Sequence, residues 1–370
     1  DRYGMEKFWH NGEWATVIGP GYEVGRTGAN NRYMVWGGIA NPDLKWESTS
    51  QLDFGVDFAA FDRRLRLTAD VYYKKTTDLL IEKNAALATG YEKGWANIGA
   101  VRNQGIEITL DATPILTKKW NWTLNANIGF NRSKVLDIGP GDEMGFDPGV
   151  IPGSGNFVMI RKNKSLGQWY GYKIDGFDAE GNFIFADTDK NGVVNANDKV
   201  ILGSPIPDFT YGLNINMEYK DFDLTVFFQG VQGNDIFNQK KYTYYFDYSN
   251  NVVKEAMNGW TKTNRNTGIP IMKTQNTSGG NSLPSEFYVE DGSYLRLKNL
   301  QLGYSLPKKW LEAIRFNKLR VYAGVQNLFT LTQYSGYDPE VSSNVLFSRG
   351  IDISSYPNAR TFTFGFNASF

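Results

Sequence analysis

The sequence predicts an all-β fold, an antiparallel transmembrane β-barrel wall, on three observations. First, segments of about ten residues alternate between apolar and polar side chains, as barrel strands do. The last segment is the clearest. In Thr361–Phe370, Phe362, Phe364, Phe366, Ala368 and Phe370 share one face, while Thr361, Thr363, Gly365, Asn367 and Ser369 share the other, because successive strand side chains point to opposite sides. So many phenylalanines on one face require a thick apolar surrounding. Second, the links between such segments are alternately short and long. Third, no apolar run approaches the roughly 18 to 20 residues of a membrane helix, although aromatics make up 15% of the 370 residues. A barrel strand is half polar, so a negative mean hydropathy does not argue against one.

Composition narrows the function. Lys and Arg total 39 and so do Asp and Glu, leaving no basic field for nucleic acid. Cysteine is absent and His10 is the sole histidine, which argues against thiol or histidine nucleophiles and zinc sites. His10 reads as a loop surface residue. Asp1–His10 has neither a basic start nor an apolar stretch, so it is no signal peptide. The expectation is that the natural N-terminus lies upstream.

Taken in order, residues 1–48 are rich in Gly, Asn and Trp without a sustained period and read as an extracellular loop region. The barrel strands with their loops then occupy 49–370. Leu52, Phe54, Val56 and Phe58 alternate with Gln51, Asp53, Gly55 and Asp57; after a turn at Asp62-Arg63, Leu65, Leu67, Ala69, Val71 and Tyr73 do the same. The pattern returns at Ile106–Ala112, Trp120–Phe130, Phe209–Tyr219, Phe222–Phe228, Leu300–Leu306 and Leu319–Val325, then in the terminal segment. That makes nine marked strands. Near Lys298-Asn299 the apolar parity slips from odd (Leu295, Leu297) to even (Leu300, Leu302), which predicts a bulge. Short links fall at 60–64, 113–119, 219–222 and 307–318, the last with a helical turn or two from Pro307 to Ile314. Long ones fall at about 77–103, 132–208, 232–292 and 329–358. Short periplasmic turns and long external loops sort this way in bacterial barrels. Weaker strands hidden in the loops would raise the count to ten to twelve, and the two open edges, which hydrocarbon does not tolerate, leave open whether the wall closes by itself or with an N-terminal part.

Several phrases resemble the SusC/RagA-like TonB-dependent outer-membrane transporters. They are Asn41-Pro42-Asp43-Leu44-Lys45-Trp46-Glu47, Asp70 with Tyr72-Tyr73-Lys74, Thr77-Asp78-Leu79-Leu80, Asn97-Ile98-Gly99 and Asn103-Gln104-Gly105-Ile106-Glu107. Later come Tyr294-Leu295-Arg296-Leu297-Lys298-Asn299, Gln326-Asn327-Leu328-Phe329, Tyr337-Asp338-Pro339-Glu340 and Tyr356-Pro357. The order matches the family, and the chain looks like the C-terminal portion of its 22-stranded barrel, with the plug domain and TonB box absent. The resemblance implies a bacterial outer-membrane importer, not an enzyme. It implies a SusD-like surface lipoprotein lid, TonB-driven uptake of glycan oligosaccharides or peptides through an N-terminal part not present here, contact with outer-membrane lipid, and a dimer of transporter–lid pairs.

Two clusters suggest sites. Asp187-Thr188-Asp189-Lys190-Asn191-Gly192-Val193-Val194-Asn195-Ala196-Asn197-Asp198 has calcium-loop spacing. Asp187, Asp189, Asn191, the Val193 carbonyl, Asn195 and Asp198 would ligate Ca²⁺, with Gly192 at the turn. The twelfth position is Asp rather than Glu. The bland reading is an ion-free polar turn; no organic cofactor is expected. Trp169, Tyr170, Tyr172 and Trp260, in long links, would suit substrate binding by stacking on sugar rings, although loop-to-loop packing is the favoured reading. The carboxylate pairs Asp53/Asp57 and Glu107/Asp111 are four residues apart on a strand, about 13 Å. That is too far for the roughly 5 to 9.5 Å of a glycosidase. They read as lumen charges beside Arg64 or Arg66. The alternative from another class is a secreted all-β carbohydrate-binding or hydrolytic domain, whose apolar faces would meet in a sealed core. A smaller self-contained porin is a third reading.

Overall fold

The computed structural model describes residues 7–10, 13–16, 41, 43–84, 93–246, 251–272, 280–314, 316–341 and 348–369. Pro42 and Phe370, and most of residues 1–40, lie outside the described residues, as does the side chain of His10. Within the N-terminal region Lys7–His10 pairs with Glu13–Thr16 as a short hairpin.

Nine strands form one antiparallel sheet in which every strand pairs with its sequence neighbours. They are β1 (Ser48–Ala60), β2 (Leu65–Thr77), β3 (Ala100–Leu116), β4 (Trp120–Asp137), β5 (Phe209–Tyr219), β6 (Phe222–Gln232), β7 (Tyr294–Ser305), β8 (Lys318–Thr332) and β9 (Thr361–Ser369). These are the strands marked by alternation. The β1–β2, β3–β4, β5–β6 and β7–β8 connections lie at one end of the sheet. Ser369 reaches that same end opposite Lys318. The β7–β8 link carries the expected helix, Lys308–Ile314.

Register explains why the stripes hold together. A single apolar row crosses the whole sheet: Ala60, Leu65, Ala112, Leu124, Ile215, Val226, Leu300, Val325 and Phe362 are successive cross-strand partners. One residue along, the partners turn to the other face: Arg66, Asp111, Asn125, Asn214, Phe227, Asn299, Gln326 and Thr361. A slip of one residue would swap these faces.

The apolar face is not a sealed interior. Leu52 is 72% exposed, Phe54 68%, Phe364 80% and Phe366 70%. An uncovered band of this size would be an aggregation hazard in water; in a bilayer it meets lipid. At the short-turn end the same face carries aromatics in one row, Trp120, Tyr219, Phe222 and Tyr304. Trp120 and Tyr219 have ring centroids 4.3 Å apart, and Phe222 and Tyr304 4.6 Å. Such a girdle belongs at a membrane–water boundary.

The bulge expected near Lys298 is present. Phe227 faces Asn299 but Phe228 faces Leu297, leaving Lys298 as the extra residue. Asn327 on β8 absorbs a matching shift with a left-handed φ of 52°.

Several strands run further than their stripes indicated, so the first two long loops narrow to 78–99 and 138–208, while the other two run 233–293 and 333–360. Pairing continues beyond the apolar band through polar residues such as Arg102, Asn103 and Arg132, where no alternation of hydropathy marks it. The loops are also far from structureless. Glu143–Phe146, Val158–Arg161, Gln168–Gly171 and Val200–Gly203 form a four-stranded sheet. Asp235–Asn238 joins Val289–Asp291 and, in parallel, Ile351–Asp352. Ile151, Phe157, Trp169, Phe183, Phe237, Phe246, Tyr288 and Ile351, drawn from three loops, share one buried cluster. The molecule thus has a wall with an uncovered outer face and a loop layer with its own core.

Candidate functional site

The inner face of the wall is built from amides, hydroxyls and carboxylates. Asn121, Thr123, Asn125, Asn127 and Asn131 on β4 face the same way as Asn214 and Asn216 on β5. Asp57 accepts a hydrogen bond from Thr68 Oγ1 at 2.6 Å, and Asp111 accepts one from Asn125 Nδ2. The expectation that Arg64 or Arg66 would hold Asp57 and Asp111 is corrected: cross-strand neighbours with short polar side chains, Thr68 and Asn125, reach them instead. Where wall and loop layer meet, a cavity of about 260 Å³ opens on this face. Tyr72, Asn103, Glu107 and Thr210 line it from the strands, and Ile206 and Arg349 from the loops. One carboxylate and one guanidinium therefore line the same hollow, among apolar neighbours such as Phe130, Leu166 and Phe209.

Buried charges fasten the loop layer to the wall. Arg296 on β7 is 2% exposed. It donates to Asp338 at 2.5 Å, Glu340 at 2.7 Å and Thr330 Oγ1 at 2.8 Å, while Lys298 reaches Glu340 at 2.8 Å. Asn358 closes the set, donating to Asp338 from its backbone N–H at 2.8 Å. Burial alone would raise the Asp338 carboxyl, but the N–H groups of Asn358 and Glu340 and the Arg296 guanidinium outweigh it and hold it below the usual carboxylate range. Glu290 behaves likewise: burial opposes its charge, and Lys241, 2.9 Å away, with the Ser335 and Asn238 donors keeps it lowered. Tyr334 Oη donates to Asp352 at 2.6 Å, and burial with that bond pushes the phenol up.

The phrase at 41–47 performs a similar fastening at the first long loop. Asn97 Oδ1 accepts the Lys45 N–H at 2.8 Å, and its amide donates to the Lys45 and Asp78 carbonyls. Glu47 accepts the Leu80 N–H at 3.0 Å, and Lys45 pairs with Asp78 at 3.0 Å. Sequence reading found these phrases but not their use; the signal was the pairing of two remote charged phrases, 294–299 with 337–340.

The calcium-type loop folds into a tight acidic turn. Carboxylate oxygens of Asp187, Asp189 and Asp198 lie within 4.8 Å of one another. Gly192 sits at the turn with φ 85°, and its N–H and that of Asn191 donate to Asp187 at 2.7 and 3.2 Å. Asp198 is fully buried and accepts from the backbone of Asn195 and Thr188, both at 2.8 Å. The Asn195 N–H leads the donors that lower its carboxyl. Asn191 Oδ1 accepts the Val193 N–H at 2.8 Å, and Asn195 Nδ2 donates to the Val193 carbonyl at 3.0 Å. The donor set is all oxygen, which fits a hard cation such as Ca²⁺.

The aromatic candidates are packed rather than displayed. Trp169 is 1% exposed and tilts against Phe237 with centroids 5.6 Å apart. Trp260 is buried over Gly181, whose φ of 84° and missing Cβ make room for the indole. Tyr172 is buried beside Phe185, and Tyr170 is half-buried beneath Arg161. The cavity lined by Glu107 and Arg349, rather than these rings, presents charged groups.

Comparison with known proteins agrees with this geometry. Residues 13–328 match the family described as TonB dependent receptor-like, beta-barrel. The chain is 36% identical over 364 residues to TonB-dependent receptor P3 of Formosa agariphila, covering 90% of this chain and 35% of that protein. It is 32% identical to TonB-dependent receptor SusC of Bacteroides thetaiotaomicron, over 89% of this chain and 32% of that one. Among solved structures it is similar to the RagAB peptide transporter, with a TM-score of 0.77 at 25% identity, over 97% of this chain and 39% of that one. The chain thus spans about a third of the length of the curated relatives it matches.

Proposed function

The chain belongs to the TonB-dependent receptor β-barrel family of the outer membrane, in its SusC/RagA-like branch, and from that premise we propose that it forms the cargo-facing wall and external loop layer of a nutrient importer. One observation carries the reading: a continuous apolar face is exposed outward, while an amide- and carboxylate-rich face lines the inside beneath an ordered loop layer. Such an inner face exchanges hydrogen bonds with hydrated polar cargo. Oligosaccharides and peptides both fit that chemistry. Import would draw on TonB through parts of the protein outside this chain, and a SusD-like lipoprotein would rest on the loop layer. Its relatives are receptors and transporters, and no reaction is assigned to these residues. The experiment is uptake by cells that lack the full-length gene and carry it back, with labelled oligosaccharide or peptide. Accumulation that needs both the gene and TonB is expected; accumulation indifferent to the gene would overturn the reading.

A second reading concerns the acidic turn. Asp187, Asp189 and Asp198, with Asn191, Asn195 and the Val193 carbonyl, would hold Ca²⁺ and stiffen the 138–208 loop. The convergence of three carboxylates at calcium-loop spacing supports it. The role is structural.

A further inference from the structure

The outward face of the wall carries a second pattern at its loop end. Lys75, Arg102 and Lys134 are direct cross-strand partners on β2, β3 and β4. They lie on the side that bears Val71, Ile106 and Phe130, the row four residues nearer the short turns. Partners in adjacent strands stand about 5 Å apart at Cα, so three positive charges fall within about 10 Å. Like charges directly opposite one another destabilise a sheet. Among the described residues none of the three side chains has an ion pair or hydrogen bond, and Arg102 Nε is buried without an acceptor. Arg132, one row nearer the membrane, is already held by Asp208 at 2.7 Å. The row therefore calls for an anion from beyond the described residues.

Its position says which. Outward side chains of β2 are apolar or aromatic from Leu65 to Tyr73, about 27 Å along the strand, comparable to the apolar band of about 25 Å on a barrel. Lys75 is the next outward residue, at the external edge of that band. Directly beneath it the outer surface has a hollow of about 400 Å³ whose floor is Val71, Tyr73, Ile106 and Phe130, with Gln104 and Arg132 at its edge toward the cationic row. A cationic row over an apolar hollow, at headgroup depth, complements an amphiphile with a negative head.

We propose that Lys75, Arg102 and Lys134 bind the phosphate of an anionic lipid of the external leaflet, whose acyl chain lies in the hollow over Val71, Ile106 and Phe130. The inference rests on the outer-membrane placement and is independent of the cargo.

The test uses the full-length transporter, extracted from its own membrane in nonionic detergent and examined by native mass spectrometry. Wild type retains a phosphorylated lipid, and K75Q/R102Q/K134Q retains at least five-fold less. K74Q, whose side chain faces the lumen one residue away, matches wild type. In nanodiscs, adding anionic phospholipid to phosphatidylcholine raises the melting temperature of wild type and not of the triple variant. Equal lipid retention by the triple variant overturns the proposal. So does equal stabilisation of wild type by inorganic phosphate alone, or a bound protein in place of the lipid. If the triple variant gives no heat-modifiable barrel band, K134Q is measured by the same two readouts and judged by the same outcomes. Lost TonB-dependent uptake with retained lipid would sink the import reading and leave this one standing.

Discussion

Lys240 and Asp352, from two different long loops, form an ion pair at 2.7 Å with side chains 3% and 0% exposed. Asp352 also accepts from Tyr334 Oη and from the backbone of Ser354 and Ser355, so both carboxylate oxygens are satisfied. The Lys240 ammonium lies 4.5 Å from the centre of the Tyr337 ring, which offers a cation a favourable face.

Asp352→Asn leaves Lys240 charged, buried and without its counter-ion. Breaking a buried pair from one side costs about 3–5 kcal/mol. The expected result is rapid hydrogen exchange or proteolysis in residues 233–246 and 348–360, while heat-modifiable mobility of the barrel is unchanged. A loop layer as protected as wild type would contradict this.

Leu213 and Asn214 are neighbours on β5 that face opposite ways. An arginine on the lipid face near mid-membrane costs about 2–4 kcal/mol. Leu213→Arg should therefore lower the folded fraction in vesicles, and Asn214→Arg should leave it near wild type. Equal losses would mean that the faces are assigned wrongly.

The acidic turn predicts a calcium effect confined to its own loop. Adding Ca²⁺ after chelation should slow cleavage within residues 187–199 several-fold. Asp189→Asn should reduce the effect, and cleavage in the 333–360 loop should not change. No response in wild type would assign the turn to its internal hydrogen bonds alone.

Acid should loosen the loop layer before the wall. Asp338, Glu290 and Asp198 all have lowered carboxyls in the folded state. A group with a depressed folded value contributes stability above its unfolded value, and that contribution is lost as pH falls through the folded value. Exchange in the loops should stay flat down to about pH 4, the unfolded carboxylate range, and rise steeply below it. A loss of protection near pH 6 instead would point to other groups.

The wall was legible because one physical demand, oil on one side and water on the other, writes itself at period two. Phe362, Phe364 and Phe366 could hardly be read otherwise, and the shift at Lys298 announced its bulge. The strand ends at Arg102 and Arg132 were not legible, because beyond the apolar band the outward side chains are as polar as the inward ones and the alternation stops. The loop core was hidden for another reason. Trp169, Phe237 and Ile351 lie on three separate loops and meet only in three dimensions, and no local period records that. The same holds for Arg296 and Asp338: each phrase was visible, but a charge does not name its partner.

The cluster around Trp169, Phe237 and Ile351 ties three loops into one body. Segments sharing a core and cross-tied by buried charges cannot swing as separate strings. Anything that docks from outside meets a single floor, and a push at one corner is felt at the others.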